Sequence, residues 1–243
     1  MRFGINQSDD EANTHANGKR KAWISIANRV LYCGELHYLG YIVNMLDLEL
    51  HNITALDLCL DMSMNIARHL RRLIRDKDMC VILNGKRIKN RKKDRPEIIY
   101  TITGDLDRDK YLTVNIKQKK AINDKSRGLT LTAYDKKAEI ANSSSKSYIS
   151  DAYGNPNKVH RLEVHLNNDE IKEYVQRMRI ELNIDIIYNL PFLWSLFAYT
   201  LDSLIRFELN GKKISWEDVL DGVITTTPAK REKIPQSPLP KAS

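Results

Sequence analysis

Strict alternation of apolar and polar side chains in three segments is the feature that most constrains the fold of this chain. The segments are residues 53–61, 129–134 and 159–166. Successive side chains of a β-strand point to opposite faces of its sheet, so each segment is predicted to be a strand with one apolar and one polar face. Because the apolar rows all need the same hydrophobic partner, the three polar rows are expected to share the opposite face.

The shared polar face is predicted to carry chemically active side chains. They are Asp57, Asp61, Arg161, Glu163, His165 and Tyr134. Clustered carboxylates repel one another unless a cation joins them, and oxygen ligands of this kind suit Mg²⁺ or Mn²⁺. Each of these residues also has an ordinary structural explanation. Asp61 could be a turn or capping residue, and Arg161 and Glu163 could form a cross-strand ion pair. Tyr134 could be an aromatic residue that only packs in the sheet. His165 is interpreted as a supporting or DNA-contacting residue.

The remaining segments predict an α+β domain. Further strands are predicted at 22–33, 79–83, 97–103 and 111–117, the last two joined by a hairpin at GDLDRD. Amphipathic helices are predicted around 39–46, 66–74, 171–178 and 194–201, with Ser63 capping the second and Pro191 opening the fourth. The polar segment 141–157 is predicted to be a surface loop. The expected architecture is a mainly antiparallel sheet with helices on one face.

Composition sets the expected domain limits and compartment. We expect a flexible N-terminus at 1–19, one domain at 20–221 and a disordered tail at 222–243, which holds four of the seven prolines. The longest apolar stretch, 190–199, is too short to span a membrane and contains a proline. The three cysteines form no CxxC pair, so they are predicted to be buried residues in a reducing compartment, and the protein to be cytoplasmic.

A formal net charge of +8 favours a polyanionic partner such as nucleic acid. The densest basic run is balanced by Asp94 alone, so phosphate contact is favoured over a solvated charged surface. The DNA-binding residues predicted in this run are Lys86, Arg87, Lys89, Arg91, Lys92, Lys93 and Arg95.

Three motifs follow one another in a defined order: ITALDLCLD (53–61), LTLTAYDKKAEI (129–140) and VHRLEVHL (159–166). An acidic strand, a strand ending in Tyr followed by Lys, and an Arg-x-Glu strand in this order resemble rolling-circle replication initiators. The similarity is to initiators of the filamentous-phage gene II/X type and the related plasmid trans-acting Rep proteins, and it implies an HUH-endonuclease-like, RRM-like palm. The chain lacks the His-hydrophobic-His pair of the wider superfamily, and it has Leu56 where family members often have Arg.

The resemblance implies a role for each matching residue. Tyr134 would be the nucleophile that forms a 5′-phosphotyrosine and frees a 3′-hydroxyl. The neighbouring lysine role falls on Lys136 or Lys137, and the two remain alternatives. Asp57 and Glu163 would be metal ligands, with Asp61 as a third candidate for Mg²⁺ or Mn²⁺. Arg161 and the lysines would neutralise the phosphate.

The expected function is therefore sequence-specific nicking and strand transfer that initiates rolling-circle replication of a phage or plasmid. The expected partners are single-stranded or supercoiled origin DNA and, because the chain has no Walker A motif, a host helicase and polymerase. A dimer is one possible assembly. Two alternatives remain: a non-catalytic single-stranded nucleic-acid-binding module with an RRM-like sheet, and a metal-dependent nuclease that uses water as the nucleophile.

Overall fold

The protein is built around a five-stranded antiparallel sheet, seen in a computed structural model that describes residues 2–5, 22–88, 100–108, 110–118, 128–144 and 146–221. The strands are β1 (Arg2–Ile5), β2 (Ala22–Ser25), β3 (Ala55–Met62), β4 (Met79–Leu83), β5 (Lys86–Arg87), β6 (Tyr100–Asp105), β7 (Lys110–Lys117), β8 (Thr130–Asp135), β9 (His160–Asn167), β10 (Ile205–Leu209) and β11 (Lys212–Lys213). The α-helices are α1 (Asn28–Tyr32), α2 (His37–Met45), α3 (Ile66–Arg75), α4 (Lys136–Glu139), α5 (Ser147–Ala152), α6 (Asn168–Met178), α7 (Leu190–Leu204) and α8 (Trp216–Leu220). A π-helix spans Ile140–Ser144 and a 3₁₀ helix Ile184–Ile187.

The five-stranded sheet has the order β3-β9-β8-β7-β6, with every neighbouring pair antiparallel. Its apolar face forms the main core, in which Leu131, Val164 and Leu166 are fully buried. Helices α3 and α7 pack against this face, and α6 packs against β9. The predicted α+β class and the mainly antiparallel sheet are confirmed.

The caps of the core helices are only partly as predicted. Helix α3 begins after Asn65, whose side chain accepts a hydrogen bond of 2.9 Å from the backbone N–H of Arg68. The predicted cap at Ser63 is wrong, because Asn65 directly precedes the first helical residue and can reach an otherwise unpaired N–H group. Pro191 does lie in the first turn of α7, as predicted.

A second sheet of four strands, in the order β11-β10-β4-β5, was not predicted. Its centre is the antiparallel pair of β4 and β10, and buried Phe207 packs edge-on against Trp216. Strand β10 follows α7 without a connecting loop, so the sequence offers no turn signal between them. The strand predicted at 79–83 is confirmed, but it belongs to this second sheet.

Three other predictions need correction. The strand predicted at 22–33 ends at Ser25 and is followed by α1, which packs against α5. The loop predicted at 141–157 contains α5, because Ile149 is fully buried and anchors a helical turn despite the polar composition around it. Cys33 and Cys59 are exposed rather than buried, although all three cysteines are unpaired as expected.

The chain ends lie mostly outside the described residues. Of the segment 1–19, the structure describes β1, which pairs with β2. The tail 222–243 lies outside the described part of the chain. Among the described helices, none has the length and apolar character needed to cross a membrane.

Gly104 occupies a backbone position that no other residue type fits well. Its φ is +111°, and a Cβ at this position would lie 2.4 Å from the backbone oxygen of Tyr111. We expect Gly104→Ala to lower the free energy of unfolding by about 2–5 kcal/mol, since positive φ costs ~1–2 kcal/mol and overpacking ~1–3 kcal/mol. Urea denaturation measures this loss. The matched control is Gly85→Ala, where φ is +75° but nothing lies within 4 Å; equal losses in the two variants would contradict the predicted clash.

Candidate active site

The register of β3, β9 and β8 brings the predicted polar face together. Across β8 and β9, Tyr134 is opposite Arg161 and Thr132 is opposite Glu163. Across β3 and β9 the pairs are Asp57 with His165, Cys59 with Glu163, and Asp61 with Arg161. Directly opposed residues share a face in an antiparallel sheet. All six residues of the predicted polar face are therefore on the same side of the same three strands.

Tyr134 is half-buried near the end of β8, and its hydroxyl donates to Glu163 Oε2 at 3.3 Å. Burial raises the pKa of Tyr134 well above its ordinary value, and the negative charge of Glu163 raises it further. The nearby charge of Arg161 acts in the opposite direction. The phenol is therefore protonated at neutral pH, and an attack by its oxygen requires a proton acceptor such as the Glu163 carboxylate.

Tyr134 and Glu163 line an open cleft of about 500 Å³, which we call the Tyr134 cleft. Its other walls come from β7, β8, α4 and the π-helix that follows α4. The lining residues used below are Tyr111, Thr113, Thr132, Asp135, Glu139 and Asn142. The cleft lies within the range of about 300–1,000 Å³ that is usual for small-ligand sites, so it can admit a nucleotide-sized group beside the Tyr134 hydroxyl.

The two candidate lysines have different environments. Lys136 is buried, its Nζ donates to Glu139 Oε2 at 2.6 Å, and this Nζ lies 5.7 Å from the centroid of the Tyr134 ring. Lys137 instead donates from Nζ to the backbone oxygen of Pro156 at 2.7 Å. Asp135 caps α4 by accepting from the Ala138 N–H, which sets the direction of both side chains at the end of the strand. The lysine next to Tyr134 is therefore Lys136.

Arg161 forms a buried ion pair with Asp61. Arg161 Nε lies 2.7 Å from Asp61 Oδ1 and Nη2 lies 2.6 Å from Oδ2, while the side chains are only 4% and 7% exposed. Burial by itself would lower the pKa of Arg161, but the hydrogen bonds with Asp61 together with the charges of Cys59, Asp61 and Tyr32 outweigh it, and the net shift is upward. Arg161 Nη1 is also 3.8 Å from Glu163 Oε2, but both residues lie in β9, so this contact is within one strand. The predicted cross-strand pair of Arg161 with Glu163 is wrong, because the residue opposite Arg161 in β3 is Asp61.

Two tyrosines from the short helices α1 and α5, or next to them, hydrogen-bond to this ion pair. Tyr32, at the end of α1, hydrogen-bonds to Arg161 Nη2, and Tyr153, just after α5, donates to Asp61 Oδ2 at 2.7 Å. Asp61 is thus occupied by two partners and is not a turn or capping residue. These contacts engage both carboxylate oxygens of Asp61, and Arg161 is not among the residues that line the cleft. Arg161 is better assigned as a positioning residue for Glu163 than as a direct phosphate contact.

The other predicted metal ligands are Asp57 and Glu163, and His165 lies directly opposite Asp57. Asp57 is 62% exposed in its side chain, and its Oδ1 lies 2.5 Å from His165 Nδ1. Among the described residues, no group of three or more His, Cys, Asp and Glu side chains is arranged to hold a metal ion. Mg²⁺ often keeps several waters and uses only one or two carboxylates. Asp57 and Glu163 are both reachable from solvent, and their carboxylate oxygens are of the chemical type that such a partly hydrated ion uses.

The basic run predicted to contact DNA is described only at its start. Lys86 and Arg87 form the exposed strand β5 of the second sheet, where Arg87 Nη2 lies 3.1 Å from Glu208 Oε2. The other predicted contacts lie outside the described residues: Lys89, Arg91, Lys92, Lys93 and Arg95. His165 is on the polar face, next to Asp57.

Sequence reasoning did not place three tyrosines, Tyr32, Tyr111 and Tyr153, at this site. Tyr111 was detectable, because in β7 it alternates with Leu112 in the same way as the residues of the three analysed strands. Tyr32 and Tyr153 gave no such signal, since they reach the ion pair from short helices whose positions depend on tertiary packing.

Comparisons with known proteins identify no relative: no protein-family model, curated protein or solved structure matches the chain.

Proposed function

We propose that the chain is a sequence-specific DNA strand-nicking and strand-transfer protein that initiates rolling-circle replication of a phage or plasmid. The observation that carries the proposal is the Tyr134 hydroxyl at 3.3 Å from Glu163 Oε2 in an open cleft. A tyrosine that serves only to pack a sheet needs neither a carboxylate partner nor access to a cleft. A tyrosine that attacks a phosphodiester needs both.

In the proposed reaction, the Tyr134 oxygen attacks the scissile phosphorus and its proton passes to Glu163 Oε2. The bond from phosphorus to the 3′ oxygen breaks, and the 5′ phosphate remains esterified to Tyr134. The 3′ oxygen takes up a proton from solvent in the open cleft, and Glu163 releases the proton it accepted to solvent, so that no net proton is gained or lost. Because the phosphotyrosine ester conserves the bond energy, a later 3′-hydroxyl can reverse the step and reseal a strand. Bond making and breaking thus balance without any added oxidant or nucleotide.

Each other residue has a supporting role. Lys136 supplies positive charge beside the Tyr134 ring, and Arg161 holds Glu163 in place while Asp61 fixes Arg161. Asp57 and Glu163 would hold Mg²⁺ or Mn²⁺, which when bound supplies charge to stabilise the phosphate in the transition state. Lys86, Arg87 and the rest of the predicted basic run would hold the DNA backbone, with origin DNA and a host helicase and polymerase as partners.

The test is to incubate the protein with a pool of single-stranded oligonucleotides of randomised sequence and Mn²⁺. We expect a protein–DNA adduct that survives denaturation, a matching set of fragments with extendable 3′-hydroxyl ends, and loss of both when EDTA is added. Fragments with free 5′-phosphates and no adduct would instead indicate a nuclease that uses water. Binding without cleavage would indicate the non-catalytic single-stranded nucleic-acid-binding module.

A further inference from the structure

Tyr111 is a large aromatic residue that lines the Tyr134 cleft while most of its surface is exposed to solvent. It is 67% exposed and lines the same cleft as Tyr134. In the described part of the chain, the Tyr111 side chain makes no hydrogen bond and no ring contact with another residue. Packing of the core therefore does not explain an aromatic residue at this position.

The backbone at Tyr111 is unusual for its residue type. Its φ is +52°, a conformation that bulky side chains rarely adopt. Across the hairpin, the pairing of β6 and β7 shifts register between Thr103 and Asp105, where Gly104 allows the close approach of the Tyr111 carbonyl. A bulge of this kind redirects a side chain, and such features are concentrated beside functional sites.

The cleft between Tyr111 and Tyr134 combines an aromatic surface with neutral hydrogen-bonding groups. Thr113, Thr132 and Asn142 contribute hydroxyl and amide groups. Two of its acids are already engaged, since Asp135 accepts from the Ala138 N–H and Glu139 pairs with Lys136. These surroundings suit a flat, polar-edged group more than a multiply charged one.

We propose that Tyr111 is the stacking platform for an unpaired nucleobase next to the phosphate that Tyr134 attacks. Both faces of a base inside a duplex are already covered by the neighbouring bases. Only a single-stranded or locally melted strand can therefore place a base against Tyr111. The placement of the reacting phosphate rests on the proposed function, whereas the stacking of a base on Tyr111 can be tested without cleavage.

The test compares binding of oligothymidylate with binding of an abasic strand of the same length. All variants carry Tyr134→Phe and are assayed in EDTA by fluorescence anisotropy, so that no strand is cut. Stacking of one base on an aromatic residue corresponds to roughly a 5- to 150-fold change in affinity. We expect the parent protein to prefer the base-bearing strand by at least about fivefold, and Tyr111→Ala to remove most of that preference. Tyr111→Phe should keep it.

The matched control is Tyr41→Ala, which removes a tyrosine of similar exposure, 65%, from α2. It should leave the preference for bases unchanged. If Tyr111→Ala fails to fold, Tyr111→Leu keeps the bulk without the aromatic ring and is expected to lose the preference in the same way. An unchanged preference in a folded Tyr111 variant, or equal binding of both strands by the parent protein, would overturn the proposal.

The two proposals fail in different ways. An adduct from the protein with Tyr134 intact, together with no effect of Tyr111→Ala, would leave the nicking function standing and remove the stacking platform. A loss of base preference in Tyr111→Ala without any adduct would leave the stacking platform standing and remove the nicking function.

Discussion

Replacing Arg161 with Met is expected to lower the free energy of unfolding by about 3–5 kcal/mol. The substitution removes the partner of the Asp61 carboxylate, which is only 7% exposed in its side chain and would remain charged in a poorly solvated environment. Tyr153 would still donate to Asp61, but one neutral hydrogen bond does not replace a two-point ion pair. Urea denaturation, followed by circular dichroism, measures the loss.

Two further variants show how much of this loss of stability is due to burial of the ion pair and how much to the unpaired charge. Arg87→Met breaks the pair with Glu208 at a side chain that is 58% exposed, and it should cost less than about 1 kcal/mol. Arg161→Met combined with Asp61→Leu removes both charges, so it should recover a large part of the stability lost in the single variant. A cost for Arg161→Met no greater than that for Arg87→Met would show that the ion pair is not buried as described.

Replacing Tyr134 with Phe is expected to abolish the covalent adduct, since the variant lacks the oxygen that forms the bond to phosphorus. The variant should still fold: the change removes one hydrogen bond of 3.3 Å to Glu163, and a bond to a charged group is worth at most about 3 kcal/mol. Binding of single-stranded DNA in EDTA should likewise persist. The measurements are adduct yield on a denaturing gel, the unfolding midpoint, and anisotropy with the same oligonucleotide.

Tyr148→Phe is the control for this loss. Tyr148 lies in α5, and its ring packs edge-on against Tyr32 at 6.2 Å between centroids, outside the cleft. This variant should keep the adduct at the parent yield. Adduct formation by Tyr134→Phe would mean that another residue is the nucleophile.

The main sheet could be predicted from the sequence because alternation is a property of the strand itself. Once 53–61, 129–134 and 159–166 were strands with one apolar face, burial of those faces left only one arrangement for the polar residues. The observed pairs of Tyr134 with Arg161 and Asp57 with His165 confirm it. The second sheet was missed because β10 continues directly from α7, so the helical pattern conceals the start of the strand.

The contacts among the residues of the polar face were harder to predict than which residues share that face. Alternation places Asp61 and Arg161 on one face, but only the register shows that they are directly opposite and form a pair. Which lysine approaches Tyr134 depends on how α4 leaves the strand, and the alternatives Lys136 and Lys137 could not be separated without that geometry. Tyr32 comes from α1, in a segment predicted to be a strand, and Tyr153 follows α5, in a segment predicted to be a loop.

Mass spectrometry of the peptide joined to DNA tests the central claim most directly. The protein is incubated with the randomised single-stranded pool and Mn²⁺, then digested with nuclease and trypsin. The proposed mechanism predicts a nucleotide-bearing tryptic peptide GLTLTAYDK, residues 128–136, with the added mass on Tyr134. Attachment to any other residue, or cleaved DNA with no peptide carrying a nucleotide, would contradict it.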